Sequence, residues 1–71
     1  MHDARLENWY RIGENLYGEV WNDRLCRWKD GHPIRTSTLT KNQTIGEGNL
    51  IFTRNSIYLL GEPQNAKTNR K

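Results

Sequence analysis

Six aromatic residues, Trp9, Tyr10, Tyr17, Trp21, Trp28 and Tyr58, are interleaved with Arg11, Arg24, Arg27, Lys29, Arg35 and Arg54. On a small β scaffold, rings of this kind can stack nucleobases at about 1–3 kcal/mol per base, while guanidinium groups follow the phosphates. The set predicts a single-stranded nucleic-acid surface with stacking on Trp21 or Tyr17 and with Arg24, Arg27 and Arg35 on the backbone. A competing demand falls on the same rings, because small barrels need large aromatics to make a core. Trp9 and Trp28 are the natural core residues, and Glu14, Glu19, Asp23, Asp30 and Glu47 dilute the positive field.

Groups for covalent or acid–base chemistry are scarce. His2 is close to the chain start, and His32 sits beside Pro33 next to an Asp-Gly turn. Cys26 is the only cysteine and falls on an expected core face, where a thiol behaves as a small inert hydrophobe. No two Cys or His residues have a metal-ligand spacing. Gly46 and Gly48 flank Glu47, but a phosphate-cradling loop needs a helix after it, and a β-hairpin pattern follows instead. No catalytic residue, metal or cofactor is expected, and the chain reads as a non-enzyme.

The 71 residues carry a net charge of +3. Three cations, Lys67, Arg70 and Lys71, lie in the acid-free tail 64–71, so positions 1–63 hold eight basic and eight acidic residues. The basic balance therefore belongs to the tail, which is expected to be disordered because it cannot repay the entropy of ordering. Residues 1–63 form one domain near the lower size limit for independent folding, where staples or self-association are usual. A lone cysteine suits a reducing, cytoplasmic setting. Met1 to Arg5 lead into no apolar run, so no signal peptide is expected, and no stretch approaches the ~20 apolar residues of a membrane span.

The scaffold for these groups reads as a β-meander. Asp3 to Arg11 has Leu6, Trp9 and Tyr10 at i, i+3 and i+4, which predicts a short N-terminal helix over 3–12, capped by Asp3 and ended by Gly13. An extra strand over 9–12 is the alternative. Strands are expected over 16–21, 24–28 and 33–39, with turns at Asn22-Asp23 and at Lys29-Asp30-Gly31. Gly18 would permit a bend or bulge. The closing hairpin has Arg54-Asn55 at its tip, pairing Phe52 with Ile57 and Leu50 with Leu59. The fold class is thus mainly β, a small SH3-like antiparallel barrel of about five strands with one short helix.

Facing follows from the period of two. The expected core is Leu16, Val20, Cys26, Trp28, Ile34, Leu50, Phe52, Ile57 and Leu59, closed by Leu6 and Trp9. The opposite hairpin face still carries apolar side chains, and such a face must be buried by something. Tyr17, Trp21, Ile51, Tyr58 and Leu60 are the expected anchors of a protein-binding or self-association surface, with Arg54 and Arg27 at its polar rim. The alternative cover for that face is the N-terminal helix.

Gly18-Glu19-Val20, Asp30-Gly31, Ile34-Arg35-Thr36-Ser37 and the run from Thr53 to Gly61 resemble short proteins of phages and other mobile elements. The resemblance covers residues 18–61. It implies a compact β fold and an accessory role, and carries over no catalytic residue. The sequence expectation is accordingly an accessory binding module acting on a host protein or its own copy, with single-stranded nucleic acid as the alternative and no membrane partner.

Overall fold

A computed structural model describes residues 2–64. Five strands, β1 (Ala4–Ile12), β2 (Asn15–Trp21), β3 (His32–Arg35), β4 (Leu50–Phe52) and β5 (Ile57–Leu60), form one open sheet in the order β3-β2-β1-β5-β4. The chain is mainly β as expected, but the sheet is mixed: β1 and β5 run parallel and the other pairs antiparallel. β3 and β4 remain its two edges. The segment leaving β3 reaches the end of β4 through a single bridge, Leu39 to Thr53.

The expected N-terminal helix is a nine-residue strand. Its apparent helical spacing has a local cause. In β1 the register steps from Glu7↔Glu19 to Tyr10↔Tyr17, so Asn8 and Trp9 together oppose Gly18 alone. This is a β-bulge, with Asn8 at φ 55° supplying the left-handed residue. One extra residue shifts the alternation, and Leu6 and Trp9 come to the same face three positions apart. That spacing is the one read as a helical stripe. Gly13 ends no helix; it sits at φ 61° in the two-residue turn that joins Ile12 to its partner Asn15.

Residues 24–28 are not a strand. The carboxylate of Asp23 accepts the backbone N–H of Arg27 at 2.6 Å, and the Cys26 N–H donates to the Asp23 carbonyl at 3.0 Å. A short acidic side chain that captures nearby N–H groups folds the segment into a compact loop. β3 therefore pairs with β2, with Ile34 opposite Gly18, and not with residues 24–28.

The closing hairpin has the expected register, Leu50↔Leu59 and Phe52↔Ile57, but its faces are inverted. β5 aligns with β1 so that Tyr58 lies beside Ala4 and Leu60 beside Leu6. The buried cluster is Ala4, Leu6, Trp9, Leu16, Val20, Leu39, Ile51, Tyr58 and Leu60, with Trp28, Ile34 and Ile45 packed against it. The loops 22–31 and 36–49 supply the cover for this face through Trp28, Leu39 and Ile45. Of the expected core, Cys26, Leu50 and Phe52 are exposed, and Ile57 and Leu59 are half-buried. No helix among the described residues is long and apolar enough to cross a membrane. The expected disordered tail, apart from Gln64, lies outside the described residues.

Candidate functional site

The two candidate surfaces from the sequence are rearranged. Ile51, Tyr58 and Leu60, expected as exposed anchors, are core residues at 0–3% exposure. Tyr17 and Trp21 do lie on the outer sheet face, together with the exposed Leu50 and Phe52. Their rings are already engaged: Tyr17 stacks on Tyr10 with centroids 5.4 Å apart, and the Arg5 guanidinium lies 5.9 Å from the centroid of Trp21. Neither is a bare stacking platform. Arg24 is also committed, donating to Asp3 at 2.7 Å.

Arg27, Arg35 and Arg54 come together instead. Three adjoining recesses run between the segment 35–43 and the turn 54–56. The first is walled by Arg27, Trp28, Arg35, Ser37, Ser56 and Tyr58. The second lies between Asn15, Arg35, Thr38, Arg54 and Asn55. The third lies between Arg11, Lys41, Gln43, Ile45 and Arg54, and includes Glu14. Among the described residues, no carboxylate lines the first two.

Local chemistry builds this cleft. In the hairpin turn the Thr53 hydroxyl donates to the Ser56 carbonyl at 3.0 Å and accepts the Ser56 N–H at 3.1 Å, while Ser37 Oγ donates to Thr53 Oγ1 at 3.2 Å. These bonds hold Arg54 and Asn55 at the tip against the crossing segment. On the opposite wall the Leu16 N–H donates to Thr36 Oγ1 at 3.0 Å, and Asn15 Nδ2 donates to the Thr36 carbonyl at 2.8 Å. Both tie the segment after β3 back to β2.

Arg27 is fixed in position. Its Nη2 donates to Asp23 Oδ1 at 2.8 Å, its Nε to Oδ2 at 3.0 Å and its Nη1 to Ser56 Oγ at 2.7 Å. The guanidinium also lies 4.4 Å from the centroid of Trp28. A planar, forked cation stacked on an indole and anchored at both ends has little freedom left to lose. The Asp23 side chain is fully buried, whereas Arg27 keeps 28% exposure. Their mutual hydrogen bonds hold the Asp23 carboxyl below the usual aspartate range and hold the Arg27 guanidinium more firmly protonated, each against the opposing effect of burial. Burial pushes the Tyr58 hydroxyl above the ordinary phenol range, against hydrogen bonding from Ser56 and the charge of Arg27.

Arg35 and Arg54 are different. Both are exposed, and neither makes a side-chain ion pair with a described residue. Arg35 ends β3 opposite Tyr17, so it stands where the sheet face meets the cleft. Sequence reasoning selected Arg27 and Arg35 together as phosphate contacts but assigned Trp28 to the core, and it passed over Ser37, Asn55 and Ser56. The signal for these was the polar run 36–38 and the Arg-Asn-Ser tip. Cys26, His2 and His32 are exposed, and no three His, Cys, Asp or Glu residues among those described gather as metal ligands. Set against protein-family models, curated proteins and solved structures, the chain matches none of them.

Proposed function

We propose that this chain is a non-enzymatic binding module whose ligand is nucleic acid, held through its phosphates in the Arg27–Arg35–Arg54 cleft. The observation that carries this reading is the pairing of three arginines with walls free of carboxylate. A cleft lined by one sign of charge concentrates field lines and favours polyanions even when the net charge of the body is near zero. The preorganised Arg27 adds directional donors, and Ser37, Asn55 and Ser56 supply hydrogen bonds for phosphate or sugar oxygens.

The test is fluorescence anisotropy of a labelled single-stranded oligonucleotide at low and moderate salt. Binding should weaken steeply with salt, because neutralised phosphates release counterions. Arg35→Ala with Arg54→Ala should remove most of it, and neither side chain makes an ion pair with a described residue. Undiminished binding by that double variant would defeat the proposal.

A second reading rests on the outer sheet face, where Leu50 is 39% and Phe52 45% exposed beside the half-buried Ile57 and Leu59. Here the module would meet a host protein or its own copy through this apolar patch, with Tyr17 and Trp21 further along the same face. Sedimentation over a concentration range would report self-association. If association occurs and survives Leu50→Ser with Phe52→Ser, the patch is not the contact.

A further inference from the structure

The three recesses are similar in size, with volumes of ≈ 310, 370 and 340 Å³. They also share walls in order. Arg35, with Thr36, Ser37 and Asn55, belongs to the first and second, and Arg54, with Thr38, to the second and third. These two arginines, which make no ion pair with a described residue, are therefore the charged groups common to successive recesses. In a single nucleic-acid strand, phosphates occupy the corresponding places: each lies between two nucleoside units.

From this alternation, and resting on the nucleic-acid reading above, we infer that the cleft is a single-strand track for about three consecutive nucleotides. Arg35 and Arg54 hold the two bridging phosphates, and each compartment takes one sugar–base unit. Arg27 serves the outer end of the first compartment, fixed there by Asp23 and Ser56.

The walls agree with this division. The middle compartment is lined, besides the two arginines, by Asn15 and by Thr36, Ser37, Thr38 and Asn55, which it shares with its neighbours. All five are uncharged donors and acceptors suited to sugar hydroxyls and base edges, whereas the third compartment also carries Arg11, Lys41 and Glu14. A duplex presents its phosphates on the outside of a stiff rod and cannot thread successive units through separate recesses. An extended acidic peptide bears a charge on each residue and leaves the uncharged donors and acceptors of the middle compartment without a counterpart.

The test is a length series of oligothymidylates from two to twelve nucleotides, read by anisotropy against the full chain. Affinity should rise sharply to three or four nucleotides and beyond that grow only with the number of available registers. Three phosphate contacts at about −0.7 each predict a slope of log affinity against log salt of roughly −2. Arg35→Ala and Arg54→Ala should each weaken binding roughly fivefold and flatten that slope by about 0.7, whereas Arg35→Lys keeps the slope. A trimer with uncharged internal linkages should lose the binding contributed by both arginines.

Several results would overturn the track. Affinity that climbs steeply through twelve nucleotides, a duplex that binds as tightly, or a neutral-linked trimer that binds as well would each do so while leaving the nucleic-acid reading in place. Oligoglutamate of equal charge binding as tightly would instead make acidic protein the ligand. No binding of any oligonucleotide at low salt would remove both the track and the reading beneath it.

Discussion

The side chain of Gln43 pairs with the backbone of Phe52 as a neighbouring strand would: Nε2 donates to the Phe52 carbonyl at 2.7 Å, and the Phe52 N–H donates to Oε1 at 2.8 Å. Phe52 is the last residue of the edge strand β4, and an unpaired edge is a template for another chain. The Thr40 N–H also donates to the Phe52 carbonyl, at 3.0 Å. The other edge, β3, carries Pro33, which has no N–H to offer. Both margins of the sheet are thus blunted locally, which leaves the faces and the cleft as the surfaces available to partners.

Replacing Gln43 should therefore have two effects. Gln43→Ala removes both hydrogen bonds to Phe52 and those to the Thr40 carbonyl and hydroxyl at an exposed edge, for a loss of about 1–2 kcal/mol in denaturant unfolding. It should also raise concentration-dependent aggregation, because the β4 backbone becomes available for strand addition. Unchanged stability together with unchanged aggregation would mean that water replaces the Gln43 amide without cost.

The bulge makes a sharper demand at Gly18. A Cβ placed there would lie 2.9 Å from the Glu7 carbonyl oxygen, 3.0 Å from Leu6 Cγ and 3.1 Å from Trp9 Cα. Two of these three atoms are backbone, so relief requires β1 to move away from β2. Gly18→Ala should cost about 1–3 kcal/mol, the usual range for overpacking, read as a lowered thermal midpoint. Asn8→Gly relieves a left-handed residue and should leave stability unchanged or slightly raised. A neutral Gly18→Ala would show that the bulge is not held as close as it stands.

How far the sequence disclosed this arrangement depends on which partner each residue needed. The Leu50–Leu60 hairpin was legible in register because its turn and its pairings are local. Its facing was not, because both faces are apolar and the choice is made by β1, whose residues paired with β5 lie 54 positions away in sequence. β1 was itself hidden by the bulge at Asn8, which gives Leu6 and Trp9 a helical spacing. The 24–28 segment was misread because Arg27 was counted as a strand residue, while the Asp23 side chain claims both its N–H and its guanidinium. Arg27 and Arg35 do line one recess, but the hairpin of 24–28 with 33–39 that was to bring them together does not form. Arg54 joins them only through the crossing of residues 36–40 onto β4, a contact without a local sequence signal.

Arg27 should prove structural as well as binding. Arg27→Ala leaves the Asp23 carboxylate buried at 0% side-chain exposure without its cation. Breaking a buried pair on one side costs about 3–5 kcal/mol, and the 28% exposure of Arg27 places this loss at or below the lower end of that range. Adding Asp23→Asn to Arg27→Ala should recover part of it, since no charge is then stranded. A double variant less stable than Arg27→Ala alone would mean that the Asp23 carboxylate contributes mainly through its bond to the Arg27 backbone N–H. Binding experiments are better made with Arg35 and Arg54 for this reason.

The acid response follows from two aspartates. The Asp3 carboxyl is held below the usual aspartate range, first by the hydrogen bond from the Ile57 N–H at 2.9 Å and then by Arg24, with burial opposing both. Asp23 is lowered first by its hydrogen bonds from the Arg27 guanidinium, again against burial. In the unfolded chain these donors are gone, so the carboxyls take up protons more readily there than in the folded state. Stability from both groups is then fully present above the unfolded aspartate value of about 3.9 and is lost as pH falls through the lower folded values. Denaturant unfolding from pH 7 down to pH 2 should show a plateau above about pH 5 and a decline that steepens below pH 4. Asp3→Asn keeps an acceptor for Ile57 but gives up the charge, so its acid decline should be shallower than that of the unsubstituted chain. Parallel declines would show that Asp3 does not titrate through this contact, and the link it makes between β1 and the start of β5 would have to be neutral in origin.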